Sequence, residues 1–584
     1  MATSRRLFLT GLFGATASAC LGQGVTTHQA PAQPRGKPSG LPFNARFSDV
    51  AAQAGLRTVT VYGESDHKEY IVETLGCGCA FLDFDNDGWL DIFLLSGTRF
   101  SNAPTGTSNR LFKNNRDGTF TDVTERAGLQ KTGWACGVCV GDYNNDGFDD
   151  LFVTYWGQSV LYRNNGDGTF TDVTRAAGLT EAASRWGTGC TFLDYNRDGN
   201  LDLFVANYLD FDLQKAPRPG QTANCRWLGL PVTCGPRGFP YGQHSLYLNK
   251  GDGTFADVSV ASGIAASKNS YGLTAIAGDF DDDGWPDIYV ACDSTPSLLF
   301  MNNHDGTFRE EGAIRGVAYS EDGQEQAGMG VAVSDYDLDG RLDIFKTNFE
   351  SDTPDLYRNM GKANFEEASR RAGLAVENRF VCWGAGMADF DNNGLPDLLM
   401  VAGHTFPEIE KRHPEFPAKN PRMLFRNLGQ GRFEELADQA GRAIQESHNS
   451  RGCAFGDFDN DGDLDVLVMN LNEPPSLLRN DVTGNNSWLK IKLVGTKSNR
   501  SAIGARVVVR SGDLTQTQEV QSQSSFLSCN DFRLHFGLGQ AKSAEVKIRW
   551  PSGEWQTQAD VGADRLVTVK EGVGIVPSVG WPKP

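Results

Sequence analysis

DFDNDGWLD, residues Asp83 to Asp91, is the stretch on which the reading of this chain turns. Its alternation puts side-chain oxygens at positions one, three, five and nine, and the Gly at position six permits a sharp turn between them. With a backbone carbonyl at position seven, the loop can wrap a hard cation in oxygen. A shell of about seven oxygens suits calcium better than magnesium, which gives up its waters reluctantly.

The pattern returns six more times in the same register. The expected ligands are Asp83, Asp85, Asp87 and Asp91; Asp142, Asn144, Asp146 and Asp150; Asp194, Asn196, Asp198 and Asp202; Asp279, Asp281, Asp283 and Asp287. The remaining loops offer Asp335, Asp337, Asp339 and Asp343; Asp389, Asp391, Asn393 and Asp397; Asp457, Asp459, Asp461 and Asp465. Up to seven calcium ions are expected, bound more weakly where an uncharged Asn amide replaces a carboxylate. One such match occurs by chance; seven in register do not. These positions hold 25 of the 73 acidic residues, so bound calcium would offset most of the net charge of −19.

Outward from each loop the chain repeats as a unit. A Gly-rich strand enters the loop, an apolar strand such as LDIFLL leaves it, and an LYRNNGDGT-like hairpin leads to a strand such as FTDV. Four strands per unit and seven units predict an all-β fold, a seven-bladed β-propeller over residues 45–482. The phase is offset: RFSDV opens the repeat region at Arg46, and the last unit stops at LLRN, Leu477 to Asn480, without its fourth strand. The strand at Phe47 is therefore expected to complete the last blade and to close the ring. Beyond it, residues 485–572 alternate with a period of two in runs such as WLKIKLV and AEVKIRW, which predicts a small β-sandwich, followed by a tail at 573–584.

The leading residues 1–20 carry Arg5, Arg6, Phe8 and Leu9 before a short apolar stretch, the layout of a twin-arginine export signal. The Ala-Ser-Ala before Cys20 suits signal cleavage or lipid attachment at Cys20. Residues 21–44 read as a flexible linker. A bacterial protein exported across the membrane is expected, periplasmic, secreted or lipid-anchored, with no transmembrane segment. The acidic charge excludes nucleic acid, whose phosphates need a basic patch. Of twelve cysteines, most sit in apolar strands and read as small buried hydrophobes, with a thiolate metal site from Cys77/Cys79 and Cys136/Cys139 as the alternative. Cys225 and Cys234, in CRWLGLPVTCGPRG, are expected to close a loop by a disulfide.

The acidic repeats resemble the FG-GAP or VCBS repeats of the integrin α-subunit propeller. WLKIKLVGTKSNRSAIGARV (Trp488 to Val507), RLHFGLG (Arg533 to Gly539) and VKIRWPSG (Val546 to Gly553) resemble the ASPIC/UnbV domain. Together they are similar to the cartilage acidic protein family over residues 45 to 572, nearly all of the expected mature chain. The resemblance implies an extracellular, calcium-binding and non-enzymatic role.

In a propeller, the acidic loops share one face. The long insertions, residues 207–244 and 403–422, then emerge on the other, which is the expected binding face. Tyr155, Trp156, Asn207, Tyr208, Asp293, Asn348, Phe349, His404 and Asn470 are expected to ring the central opening there, either as a rim for a protein or glycan or as mere caps on strand ends. The expected function is a binding or adhesion module. The alternative is a lyase, hydrolase or metal-dependent oxidase at the central opening; no catalytic motif of known spacing supports it.

Overall fold

Short apolar runs, buried throughout in the first two strands, pair Cys79–Leu82, Asp91–Leu94, Arg110–Asn114 and Phe120–Asp122 into an antiparallel four-stranded sheet, in that order. The computed structural model, which describes residues 30–180, 185–436 and 438–579, repeats this order in six further sheets. The second and third are joined laterally where Trp156 pairs with Trp186. Arg5, Arg6 and Cys20, on which the export and lipid expectations rest, lie outside the described residues. Among the described residues no helix is long and apolar enough to cross a membrane.

The seventh sheet is completed as its phase predicts. Phe47–Asp49 pairs with Ser476–Asn480, with Phe47 opposite Asn480. First strands pack against one another in succession, and Ser450–Gly456 of the last sheet packs on Cys79–Leu82 of the first, so the ring closes. Five residues before the loop's first Asp, six of the seven units carry Gly, because backbones crowd at the axis. A Cβ on Gly330 would stand 2.0 Å from the Trp383 carbonyl oxygen.

An Asn on every third strand locks each sheet to the one before it. Asn164 Nδ2 donates to the Phe84 carbonyl of the first loop at 2.7 Å, Asn359 to Phe280 at 2.7 Å, and Asn114 of the first sheet to Phe458 of the last at 2.8 Å.

Residues 30–45, expected to belong mostly to a linker, have no regular secondary structure but are pinned to the fifth and sixth sheets. Ala30 N donates to Ser351 O, Arg426 Nη1 to Leu41 O, and Ser39 Oγ to Glu434.

The C-terminal domain stacks two four-stranded sheets. One pairs Ser487–Val494 with Leu534–Gly539 and, in parallel, with Arg565–Lys570; the other is built on Arg506–Ser511 and Ser543–Arg549. Leu489, Ile491, Val507, Val509, Val546 and Ile548 are buried in its core, which is continuous with residues of the second and third ring sheets.

Candidate metal centres and the two faces of the ring

The loops share one backbone design. Position six is a left-handed Gly in all seven, and position four is also left-handed, from Asn86 at φ 55° to Asp282 at φ 62°. This folds position one back over the turn. In the first loop Asp83 accepts the N–H groups of Asp87 and Gly88 at 2.8 and 3.0 Å, and Asp87 accepts that of Trp89. Position nine is buried in every loop, and Asp91 accepts the N–H groups of Phe84 and Asn114 at 3.3 and 2.8 Å.

Carboxylates are thus held together with little room to separate. Asp83, Asp85 and Asp91 bring ligand oxygens within 4.8 Å of one another, as do Asp279, Asp281 and Asp287, then Asp335, Asp337 and Asp339, then Asp389, Asp391 and Asp397. Burial pushes the carboxyls of Asp142, Asp194 and Asp335 up to about 7 and that of Asp389 to about 8. Asp85, Asp335, Asp337, Asp391 and Asp459 each keep one buried side-chain oxygen with no hydrogen-bond partner. Converging unpartnered oxygens are what a hard cation would satisfy, so these clusters fit a metal ion.

The C-terminal domain covers this face, touching the loops around the ring. Ser501 Oγ accepts the Asp142 N–H at 2.9 Å, Arg197 Nε donates to Pro551 O at 3.0 Å, and His535 Nε2 meets Asn392 Oδ1 at 2.7 Å. Lys490 pairs with Asp457, Arg549 with Asp279, and Arg506 donates to Gly340 O at 2.5 Å. Between its sheets, the segment Val520–Asp531 descends into the axis. Val138 N donates to Leu527 O, Val331 N to Ser525 O and Phe81 N to Cys529 O, while Cys529 N donates to Cys79 O. Phe526 and Leu527 are fully buried, and Phe526 packs edge-on against Trp383 at 4.9 Å.

The opposite end of the axis is closed too, which corrects the expected open rim. Tyr155, Asn207, Tyr208, Asn348, Phe349, His404 and Asn470 are buried; only Trp156 and Asp293 are half-exposed. The two insertions meet over them: Trp227 lies 5.6 Å from His404 and 4.8 Å from Phe416, and Phe211 lies 5.1 Å from Trp156. The polar members cap strand ends, as Asn207 Nδ2 does on Gln243 O and Asn348 Nδ2 on Thr353 O. Enough aromatic surface shuts an opening that loops alone would leave wet. Cys225 and Cys234 form the expected disulfide inside this lid. The other nine described cysteines are buried free thiols, among them Cys77, Cys79, Cys136 and Cys139.

Two buried ionisable groups beneath the lid carry no sequence signal. Arg451 stacks 4.1 Å over Trp383 and donates to the carbonyls of Thr74 and Leu75, and burial pulls it down to about 9. Glu350 has neither carboxylate oxygen hydrogen-bonded. Their surroundings come from segments distant in sequence, which no local pattern reveals.

The family model described as FG-GAP-like repeat matches residues 83–153, 142–205, 237–290, 279–346, 335–400 and 418–468, more than half of the chain, and that described as ASPIC and UnbV matches residues 495–576. Cartilage acidic protein 1 of Homo sapiens is 30% identical over 317 residues, which span 53% of this chain and 44% of that protein. Its Xenopus tropicalis counterpart is 25% identical over 512 residues, 83% of this chain and 72% of that one. The chain thus matches less than half the length of the human relative. Among solved structures, an Agrocybe aegerita lectin that recognises non-reducing terminal N-acetylglucosamine aligns with a TM-score of 0.37 and 15% identity over 67% of this chain and 88% of its own. YCF48 bound to D1 peptide aligns with a TM-score of 0.36 and 7% identity over 73% of this chain and all of its own.

Proposed function

Since the chain belongs to the FG-GAP-like repeat family and carries an ASPIC and UnbV domain, we propose that it is an exported adhesion module that binds calcium in its acidic loops and holds an extracellular protein or glycan on the opposite face. The calcium half is carried by one observation, the buried carboxylate oxygens in the loops that no hydrogen bond satisfies. Leaving such groups bare costs stability, and a divalent cation removes that cost.

The partner half is supported by what is left uncovered. The C-terminal domain occupies the loop face and its plug fills the axis, so the outer surface of the lid is available. At its edge a cleft of about 640 Å³ is lined by Arg237, Tyr241, Lys268, Asn269, Tyr319 and Glu325, among others. Tyr241 is 44% exposed and rests on Tyr271 at 4.5 Å, a flat apolar platform beside amides and charges. That combination recognises sugars and peptides.

Two measurements test the halves separately. Calorimetry in millimolar calcium and in excess chelator is expected to show a transition at least several degrees higher with calcium; coincident transitions sink the metal half. Glycan arrays and pulldowns with wild type and Tyr241→Ala are expected to lose binding in the variant, and equal binding removes the cleft as the site.

A further inference from the structure

Building on the calcium reading above, the docked domain divides the loops into two kinds. In the seventh loop the position-one carboxylate of Asp457 accepts the N–H groups of Asp461 and Gly462 at 3.2 and 2.9 Å. The oxygen that accepts the Gly462 N–H also receives Lys490 from the C-terminal domain, and both side chains are wholly buried. In the fourth loop Arg549 pairs with the position-one Asp279 and reaches Asp282 at 2.9 Å, while Arg506 Nη1 lies 3.4 Å from the Asp279 carbonyl. Arg549 is 11% exposed and Arg506 is 4%.

Elsewhere the domain's Lys492 stands 3.8 Å from Asp83 of the first loop but is 38% exposed, and its Arg506 meets only a backbone carbonyl of the fifth loop, that of Gly340; basic groups from the ring itself also differ in kind. Lys113 on Asp85 and Arg358 on Asp337 come from the ring's own third strands, are 31% and 30% exposed, and have solvent to turn into when a cation arrives. Lys490 has none, because it is packed between its own strand and the loop. A pinned positive charge on a ligand carboxylate repels a divalent ion bound to that carboxylate, and the low polarity of a buried site strengthens the repulsion.

We propose that calcium at the fourth and seventh loops and docking of the C-terminal domain oppose each other. Docking weakens calcium about tenfold at each of these two loops, which therefore bind it more weakly than the fifth although all three carry four carboxylates, and filling either one loosens the domain by that same factor, since coupling between two binding equilibria is reciprocal. Counting carboxylates alone would rank the three equal.

The test uses the full chain with calcium as the only ligand. Calcium bound per chain is followed against free calcium for wild type, Arg549→Gln, Lys490→Gln and, as control, Arg358→Gln. Arg549→Gln and Lys490→Gln are each expected to move one site to about tenfold higher affinity, and Arg358→Gln to leave the isotherm unchanged. In wild type, protease cleavage within residues 481–486, which join ring and domain, is expected to be faster in millimolar than in micromolar calcium. A single class of equal sites in wild type, superimposable isotherms for the Arg549 variant, or protection of the junction by calcium each overturns the inference. The wild-type arms stand even where the buried Lys490 variant fails to fold. If wild type binds no calcium at all, the reading of the loops as calcium sites falls with it, whereas equal sites leave that reading intact.

Discussion

At the scale of single residues, the most informative side chain is the Asn that follows each LYR-like run. Asn164 is buried and donates both amide hydrogens, to Phe84 O at 2.7 Å and to Asp149 O at 3.1 Å, so it spans two sheets. Asn164→Ala strands two carbonyls and is expected to cost about 2 kcal/mol in denaturant unfolding, with the fold unchanged by circular dichroism. Glu571 plays a comparable part in the C-terminal domain. Burial alone would raise its carboxyl, but the N–H groups of Thr496, Ser498 and Lys497 and the Ser552 hydroxyl outweigh that and hold it down at about 2. A depressed carboxyl adds stability above its ordinary range and loses it as pH falls towards the folded value. Glu571→Gln is therefore expected to lose about 2–3 kcal/mol at neutral pH, and the gap to wild type to close between about pH 5 and about pH 2; a gap independent of pH would show that the charge is not what matters. The Asn was visible in the repeat, yet its role was not, since its acceptor belongs to a loop about 80 residues earlier.

Among the elements, the clasp is the one whose placement follows from the order of repeats alone. Phe47 is almost wholly buried, edge-on to Phe390 at 5.5 Å, and its strand supplies the edge that the last sheet lacks. Phe47→Ala is expected to cost about 3–5 kcal/mol, and removal of residues 43–56 to lead to aggregation or a much lower Tm; an unaltered melting curve would mean that the strand contributes nothing to closure. The lid has no such periodic signature. Its insertions follow the strands Asp202–Asn207 and Asp397–Ala402 at the ends opposite the acidic loops, as the repeat order predicts, but a rim of aromatics beside amides reads the same whether it faces a ligand or another loop. The packing of Trp227 against His404 and Phe416 decided it.

For the whole molecule, the consequence of the domain arrangement is that the ring has no open axis. Val520–Asp531 satisfies backbone groups of the inner strands, such as Val138 N and Val331 N, that the sheets themselves leave unpaired. A chain truncated after residue 482 is expected to lose solubility or to melt about 10 °C lower, because it uncovers both those groups and the apolar channel wall around Phe526. Equal Tm and solubility would show that the plug rests in the channel without supporting it. What the sequence by itself determined is everything that repeats: four strands per unit, a Gly at the sharp turn, seven acidic loops with their order of oxygen-bearing side chains, the clasp, and an alternating β domain after them. Periodic patterns carry that information because each unit meets the same local constraints. Only the tertiary structure decided where the C-terminal domain sits, what fills the axis, which rim residues are buried, and which loops share their carboxylates with Lys490 and Arg549. Those outcomes depend on contacts between segments hundreds of residues apart, where shape and charge meet once and leave no period to read.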